Sequence, residues 1–267
     1  MHKLLKKFTV DFLNNDVKRI NLIFKKSYKK IINKNNNNFD PVTDIDLKLE
    51  KIVIKKIKYY FPTHNITSEE EGYLKSSNND YDWFVDPLDG TKNYILGFDY
   101  FSILIGLFHK NNPIFSLIYY PKYKKSFFSI KKKAYQFDLN TKKIKFLKSN
   151  KFFTNNFTKI VTNSKNTIKN NKVIKFFDNK NFIFKISGAD SYNYVLLAMK
   201  KIDIVIESGL KDVDIVPLFH LFKINNIDYI NWKGNKKIYK KNNSLIFFNN
   251  NKKNKKIVNS FLNKIRF

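Results

Sequence analysis

The chain has 267 residues, of which 43% are hydrophobic and 16% aromatic, so it is long and apolar enough to bury a sizeable core. That composition argues against disorder. The absence of cysteine excludes disulfides, a thiolate nucleophile and a cysteine-based zinc site. Because no run of about 18 apolar residues occurs and nothing at the N-terminus has the pattern of a signal peptide, we expect no membrane span and predict a cytoplasmic protein.

The formal net charge is +29, from 51 Lys and Arg residues against 22 Asp and Glu residues. A charge of this size is typical of proteins that bind nucleic acid or membrane surfaces. Here the lysines are spread along the chain, and Asn, Ile, Phe and Tyr are abundant throughout, which favours a bias of genome composition. Since no RNA-binding motif accompanies the lysines, nucleic acid is an alternative partner that the sequence does not favour.

The first half of the chain reads as two helices followed by a meander of strands. Apolar periodicity predicts one helix over 3–33, with Leu5, Phe8 and Phe12 in its core stripe. A second helix is predicted from the N-cap Thr43 to Tyr60. The predicted strands are Trp83–Val85, leading into a turn, and 101–108, 113–120, 126–130 and 134–138.

The second half alternates strands and helices, which favours a layered α/β structure. A Lys- and Asn-rich stretch over 139–157 is the predicted boundary, dividing the chain into halves 1–145 and 146–267 that form one compact protein. Strands are predicted at 160–162, 182–186, 202–206, 229–232 and 244–248. Helices are predicted between the first two of these strands and at 191–201, 213–224 and 253–265.

Three acidic segments carry the chemistry that the sequence suggests. They are Ser68-Glu69-Glu70-Glu71, Asp86-Pro87-Leu88-Asp89-Gly90-Thr91 at the end of the Trp83–Val85 strand, and Asp212-Val213-Asp214. Carboxylates at a strand end suit Mg²⁺, which prefers oxygen ligands. Gly90 permits a close backbone approach, and Thr91 begins a helix whose first N–H groups can bind phosphate. An Asp-Gly turn alone is a weak signal, but the six-residue string is far more specific.

The chain resembles the inositol monophosphatase superfamily of metal-dependent, lithium-sensitive phosphatases, roughly from the first helix to Trp232. The motifs that carry the resemblance are Asp40-Pro41-Val42-Thr43-Asp44-Ile45-Asp46, Ser68-Glu69-Glu70, Asp86 to Thr91, and Gly188 through Asp214. The resemblance implies a layered αβαβα sandwich, α/β (α+β) in class, of the inositol monophosphatase and fructose-1,6-bisphosphatase type. It also implies a metal site between the two halves, two to three Mg²⁺ ions, a small phosphorylated substrate and a homodimer.

The same resemblance implies roles for the acidic residues. Glu69 and Asp86, with the Leu88 carbonyl, would bind a first Mg²⁺ ion. Asp86, Asp89 and Asp214 would bind a second. Such ions lower the pKa of the attacking water and stabilise the attacking and leaving oxygens.

The resemblance implies that Asp46 and Thr91 orient and deprotonate this water and that the phosphate lies on the backbone amides of Gly90 and Thr91. From the residues alone, an alternative interpretation of Asp46 is a surface residue on the first turn of its helix. Glu70 and Glu71 are expected to be solvated, and Asp212 exposed. The histidines at 64, 109 and 220 lack ligand spacing and are expected to be structural or exposed.

The substrate prediction depends on the segment Ser187 to Tyr192, which is similar to the histidinol-phosphatase branch of the superfamily. The predicted substrate-binding set consists of Gly90 and Thr91 together with Gly188, Ala189, Asp190 and Glu207. The carboxylates of Asp190 and Glu207 are suited to face the ammonium or imidazole group of a cationic substrate. Alternatively, Asp190 only caps a helix. Histidinol phosphate is therefore the first candidate, inositol 1-phosphate the second and a 3′(2′),5′-bisphosphate nucleotide the third. An RNA- or ribosome-associated binding protein on the same fold is the non-enzyme alternative.

The chain departs from the family pattern at three places. Val213 stands where an aromatic residue usually precedes the last aspartate, and Asn225-Asn226-Ile227 and Lys131–Ala134 replace glycine-rich stretches. Since the predicted metal ligands are retained, the sequence favours an active enzyme over a degenerate relic.

Overall fold

The computed structural model describes residues 1–25, 30–34, 41–147, 157–163, 171–178, 181–188, 190–239, 241 and 243–265, with the side chains of 78, 79, 171, 172 and 190 left out of the description. The chain divides into unit 1, Met1–Phe146 with Val216–His220, and unit 2, Leu147–Ile215 with Leu221–Phe267. In the part of the chain that is described, no helix combines the length and the apolarity that crossing a membrane requires.

Unit 1 is built on one large sheet. Its helical segments are α1 (His2–Asp11), a π-helical turn (Phe12–Asp16), α2 (Val17–Phe24), α3 (Asp44–Tyr60) and α4 (Thr91–Ile95). Its strands are β1 (Ile31–Asn33), β2 (Pro41–Thr43), β3 (His64–Ser68), β4 (Gly72–Leu74), β5 (Asn78–Asp89), β6 (Ser102–His109), β7 (Asn112–Tyr120), β8 (Lys125–Ile130), β9 (Lys133–Asp138) and β10 (Lys143–Phe146). The large sheet has the order β10-β9-β8-β7-β6-β5-β3-β4, while β1 pairs with β2.

Helices α1 and α3 pack their apolar stripes on one face of this sheet. Phe8 of α1 is fully buried, as the periodicity predicts, and together with the fully buried Val53 of α3 it joins Trp83 of β5 in one core. The ring centroids of Phe8 and Trp83 are 5.2 Å apart. Full burial of such a side chain contributes about 1.5–3 kcal/mol, so this contact layer is a principal source of the stability of unit 1.

The helix predicted over 3–33 is wrong at its C-terminal end, beyond Phe24. Helical structure ends at Phe24, and Ile31–Asn33 is a strand that pairs antiparallel with Pro41–Thr43. Within the helical part, the π-helical turn changes the spacing of the side chains. As a result Asp11 and Asp16 both contact the Lys56 ammonium, at 2.7 and 2.9 Å.

Strand β5 is much longer than the three residues that the sequence predicts. It extends from Asn78 to Asp89, because β3 pairs with it in parallel and β6 pairs with it antiparallel. The predicted turn at Asp86 is thus part of the strand, and the register with β6 shifts between Asp86 and Asp89. A bulge of this kind bends a strand and redirects its side chains.

Unit 2 is a five-stranded sheet with helices on both faces. Its elements are β11 (Thr158–Thr162), α5 (Asn171–Phe177), β12 (Phe182–Ile186), α6 (Asp190–Ala198), β13 (Ile204–Leu210), α7 (Phe219–Ile224, whose first two residues belong to unit 1), β14 (Ile227–Asn231), β15 (Asn243–Asn249) and α8 (Lys252–Ile265). The strand order is β12-β11-β13-β15-β14. Phe248 of β15 packs with α5 and α8, and its neighbour Phe247 contacts Tyr194 of α6 and Phe222 on the opposite face.

The helix predicted over 213–224 is wrong at its start. Residues 213–215 form a turn, Val216–Leu218 is a short 3-10 helix, and the α-helix begins only at Phe219. The segment Val216–His220 belongs to unit 1, although the predicted division places it in the second half. Its Pro217 lies against Gly106 of β6 so closely that a Cβ atom on Gly106 would come 2.8 Å from the Pro217 carbonyl oxygen.

Two of the departures from the family pattern are accommodated as local turns. Lys131, between β8 and β9, has φ of 57°, and Asn226, between α7 and β14, has φ of 54°. Both residues therefore adopt the left-handed conformation that glycine reaches without strain, and asparagine tolerates it better than most residues. The loss of these glycines thus leaves the two turns in place.

The histidines have structural contacts, as the sequence predicts. His220 lies 2.8 Å from the Ser129 hydroxyl, and His64 accepts a hydrogen bond of 3.1 Å from the Trp83 indole. The ring of Tyr81 stacks between His64 and His109, with both centroid distances at 4.4 Å. Burial lowers the pKa of His64 from 6.5 to about 4, and His109 acts in the same direction.

We predict that unit 1 loses stability on mild acidification because of His64. Between pH 6.5 and about 4 the unfolded chain binds a proton that the folded imidazole does not, so the free energy of unfolding falls with pH by up to about 3 kcal/mol. His64→Asn keeps an acceptor for the Trp83 indole but does not titrate. Urea unfolding from pH 7 to pH 4 should therefore show a smaller decline for the variant, and equal declines would contradict the prediction.

Candidate active site

The centre of the candidate site is the end of β5. Asp86, Leu88 and Asp89 are buried there, at 2%, 1% and 6% exposure. The Leu88 backbone N–H donates to Asp86 Oδ1 at 2.9 Å, and the Ser102 hydroxyl donates to Asp89 Oδ2 at 3.3 Å. Burying two carboxylates so near each other is costly unless positive charge or hydrogen bonds compensate. This strand end is therefore suited to a cation.

The β-sheet register brings a second acidic segment to the same edge. Strands β3 and β5 are parallel, and Ser68 lies opposite Val85. The next residues are Glu69, which follows β3, and Asp86, which lies within β5, so the two acidic residues come directly after a paired position of two parallel strands. The sequence shows the two motifs but not this juxtaposition, which depends on strand pairing.

Gly90 connects β5 to α4 in a conformation that requires glycine. Its φ is 86°, and a Cβ atom there would lie 2.8 Å from the Tyr100 carbonyl oxygen. That carbonyl also accepts a hydrogen bond of 2.8 Å from the Asn93 side chain. The loop that ends at Tyr100 thus packs directly on the turn, and a side chain at position 90 would collide with it.

Thr91 and Asp46 are in direct contact. The Thr91 hydroxyl lies 3.0 Å from Asp46 Oδ1 and 3.0 Å from the Leu88 carbonyl oxygen. Asp46 is 1% exposed, so it is not a surface residue. Burial raises the pKa of the Asp46 carboxyl above its ordinary value, while hydrogen bonds from Thr43 and Thr91 act in the opposite direction.

A capping box fixes Asp46 at the start of α3. Thr43 is the N-cap, and its hydroxyl accepts hydrogen bonds from the backbone N–H groups of Ile45 and Asp46. In return Asp46 Oδ2 accepts the Thr43 backbone N–H at 2.7 Å and also contacts the Thr43 hydroxyl. The Thr-x-x-Asp pattern therefore does two things, because it begins the helix and leaves Oδ1 directed at Thr91.

The loop after β3 is held by two residues that the sequence analysis did not select. Lys34 contacts Glu69 Oε1 at 3.3 Å and Glu70 Oε1 at 2.5 Å. Glu50, which is 1% exposed on α3, accepts the backbone N–H groups of Glu70 and Glu71 at 3.0 and 3.3 Å. The sequence signal that could have indicated a role for Glu50 at the site is its spacing, because it is a carboxylate one helical turn after Asp46.

The expectation that Glu70 is solvated is wrong. Its side chain is 8% exposed and paired with Lys34, whereas Glu71 is exposed as predicted. Burial raises the pKa of Glu70 to about 7, the Lys34 ammonium opposes this shift, and the charge of Glu69 adds to it. Asp212 is half-buried rather than exposed.

In unit 2, Asp214 lies in the turn before Val216. Its Oδ2 accepts the Lys211 backbone N–H at 2.7 Å, and the Ile215 N–H donates to the Asp212 carbonyl at 3.1 Å. Val213 is buried, so the residue that replaces an aromatic one still packs inward.

The predicted substrate segment is described only in part. Gly188 is exposed with φ of 71°, and Glu207 is fully buried on β13, where Oε2 accepts the Asn163 backbone N–H at 3.2 Å. Asp190 is the first residue of α6, but its side chain, like Ala189 and Asp40, lies outside the description. Glu207 therefore has a structural contact of its own.

The donor chemistry fits Mg²⁺. Carboxylates and one carbonyl supply only oxygen atoms, the ligands that this ion prefers. Among the described residues, no three acidic or histidine side chains are already gathered around one point. In unit 1 the Lys34 ammonium contacts Glu69, one of the predicted metal ligands.

These features define a class of protein, a layered α/β fold with an oxygen-rich acidic site at a strand end beside a threonine–aspartate pair. The model of the inositol monophosphatase family matches residues 8–266, and the chain belongs to this family. Members of the family are phosphatases that depend on Mg²⁺. The family and the layered α/β fold predicted from the sequence are confirmed.

Individual relatives are more distant. The bifunctional phosphatase IMPL2 of Arabidopsis thaliana is 28% identical over 210 residues, which are 76% of this chain and 58% of the relative. The Nus factor SuhB of Haemophilus influenzae is 37% identical over 82 residues, 31% of either chain. An IMPase/NADP phosphatase solved with Mg²⁺ and phosphate superposes with a TM-score of 0.79 at 20% identity, over 97% of this chain and 96% of that one. The matches thus span just over half of the first relative and a third of the second.

Proposed function

We propose that this chain is an Mg²⁺-dependent phosphate monoesterase. The observation that carries the proposal is the Thr91 hydroxyl, which lies 3.0 Å from both the Asp46 carboxylate and the Leu88 carbonyl. This contact places a proton acceptor beside the strand end that holds Asp86 and Asp89. Membership of a phosphatase family gives independent support.

In this proposal the ligands are Glu69, Asp86, the Leu88 carbonyl, Asp89 and Asp214. Bound Mg²⁺ supplies positive charge that lowers the pKa of water and stabilises developing charge on oxygen. Asp46 Oδ1 accepts the Thr91 hydroxyl proton, and Thr91 Oγ1 can then accept a proton from the attacking water. The capping box keeps the Asp46 carboxylate in place for this transfer.

The phosphate is proposed to contact the backbone N–H groups of Gly90 and Thr91. Gly90 has no side chain, and its positive φ and the nearby Tyr100 carbonyl leave no room for a Cβ atom. The turn can therefore approach an anion with backbone alone.

The proposal is tested by phosphate release from histidinol phosphate, inositol 1-phosphate and 3′-phosphoadenosine 5′-phosphate. We expect turnover of at least one ester with Mg²⁺, loss of turnover with chelator, and inhibition by Li⁺. A protein that hydrolyses none of them, but binds RNA with a salt dependence steeper than a general basic surface gives, would instead be the nucleic-acid-binding alternative.

Among the esters, histidinol phosphate is the proposed substrate. We predict that Asp190→Ala lowers kcat/KM for histidinol phosphate, whose alcohol part carries an ammonium group, by about tenfold or more, because a hydrogen bond to a charged group contributes about 1.5–3 kcal/mol. For inositol 1-phosphate, whose alcohol part is uncharged, kcat/KM should stay within about twofold. Asp178→Ala, an exposed aspartate in the same unit, is the control. Equal losses for both esters would remove the reason to prefer a cationic substrate.

A homodimer and a cytoplasmic location stay predictions. The exposed apolar side chains that follow α4 support the dimer, since Leu96, Phe98 and Tyr100 are 69%, 56% and 40% exposed. Exposed apolar groups of this kind are typical of interaction surfaces.

A further inference from the structure

The Lys34 ammonium is the starting point, because it contacts a proposed metal ligand. It lies 3.3 Å from Glu69 Oε1 and 2.5 Å from Glu70 Oε1. The two glutamate side chains are largely buried, at 13% and 8% exposure, whereas Lys34 is an exposed residue whose side chain is 24% accessible. Because its carboxylate side is largely buried, this ion pair is screened less than a fully exposed surface pair.

The loop that carries the two glutamates is held from the other side. Glu50 accepts the backbone N–H groups of Glu70 and Glu71, at 3.0 and 3.3 Å. Glu50 lies on α3, the helix that also holds Asp46. The loop therefore cannot retreat from Lys34 without breaking these hydrogen bonds.

We propose that Lys34 is an internal competitor of Mg²⁺ for Glu69, and that Glu70 retains the ammonium when the metal binds. The inference rests on the proposed function, in which Glu69 is a metal ligand. An ammonium and a divalent cation on one carboxylate repel each other. The shorter contact is with Glu70, so the ammonium can move away from Glu69 and still be paired. Glu70 thereby becomes a positioning residue that acts through Lys34.

If this competition exists, substitutions of Lys34 and of Glu70 should change Mg²⁺ affinity in opposite directions. Lys34→Met should tighten Mg²⁺ binding by about tenfold, because the competitor is gone, and Glu70→Gln should weaken it by a similar factor, because the ammonium then depends on Glu69. In the double variant, Glu70→Gln should have no further effect. Lys34→Arg, which keeps the charge, should bind Mg²⁺ like the unchanged protein.

The measurement is calorimetric titration of the full chain with Mg²⁺ in the absence of substrate, with thermal unfolding as a check of folding. Lys48→Met is the matched control, because this lysine also contacts a carboxylate, Asp44 at 2.5 Å, near the start of α3. It should change Mg²⁺ affinity by less than about twofold, as expected of an exposed pair.

A double-mutant cycle separates competition from general electrostatics. If Glu70→Gln weakens Mg²⁺ binding as much without Lys34 as with it, the two effects are additive and the competition is refuted. An unchanged affinity in Lys34→Met refutes it as well. In either case the unchanged protein would still bind Mg²⁺ and release phosphate. Absence of both from the unchanged protein would instead overturn the proposed function and the inference with it.

Discussion

Asp89→Asn is expected to abolish Mg²⁺-dependent phosphate release, with a fall in kcat/KM on the order of 10³-fold or more, equivalent to about 4 kcal/mol of barrier. The amide has nearly the shape of the carboxylate and can still accept the hydrogen bond from Ser102, which is 3.3 Å from Asp89 Oδ2. What it lacks is the negative charge. Because a bound cation lowers the barrier through charge, the loss should appear in Mg²⁺ affinity and in turnover.

The matched control for this substitution lies on the same strand. Asp80 is in β5, at the end of the strand away from the site, and its exposed carboxylate contacts Lys110 at 3.5 Å. Asp80→Asn should leave turnover and calorimetric Mg²⁺ affinity unchanged. If Asp89→Asn kept more than about a tenth of the activity, Asp89 would not be a metal ligand and the proposed site would have to be reassigned.

The parts of the site that follow from local sequence were predictable. Thr43 and Asp46 have the spacing of a capping box, and the apolar stripe after them indicates which face of α3 is buried. The contact between Asp46 and Thr91 crosses 45 positions of the chain. It was expected only because the resemblance supplied it, since no property of either segment specifies the partner.

Lys34 shows why the remainder could not be predicted. It precedes the loop of Glu69 and Glu70 by about 35 residues, and it stands in a run of lysines and asparagines that composition alone explains. Its contact requires that Ile31–Asn33 be a strand paired with β2 rather than part of the continuous helix that periodicity predicts. Strand pairing over such distances is set by tertiary structure, so it overrides local propensity.

The end of β5 follows partly from local sequence and partly from tertiary structure. The apolar residues Trp83 to Val85 predict a strand, and Asp-Gly predicts that it stops. The pairing of Asp89 with Ser102 of β6 carries the strand through the two aspartates. The predicted location of the acidic groups was correct, while the bulge that spaces them depends on the neighbouring strand.

Gly106→Ala is expected to destabilise unit 1 strongly through a steric clash. Gly106 has an ordinary φ, so alanine costs nothing in backbone conformation there. The new Cβ would lie 2.8 Å from the Pro217 carbonyl oxygen and closer still to its Cα, and both are backbone atoms that cannot rotate away. Either β6 or the segment Val216–His220 must move. We expect a loss of about 3 kcal/mol or more in the free energy of unfolding, measured by urea titration.

Two other glycines separate the steric cost from the conformational one. At Gly97, φ is 79° and no atom of the described residues lies within 4 Å of a Cβ position, so alanine should cost only about 1 kcal/mol. Gly90 has both a positive φ and the Tyr100 carbonyl at 2.8 Å, so Gly90→Ala should lower stability by more than Gly97→Ala and also reduce phosphate release. If Gly106→Ala were no more damaging than Gly97→Ala, the contact with Pro217 would not be close in solution. The anchoring of Val216–His220 on β6, only two residues after Asp214, would then have to be abandoned.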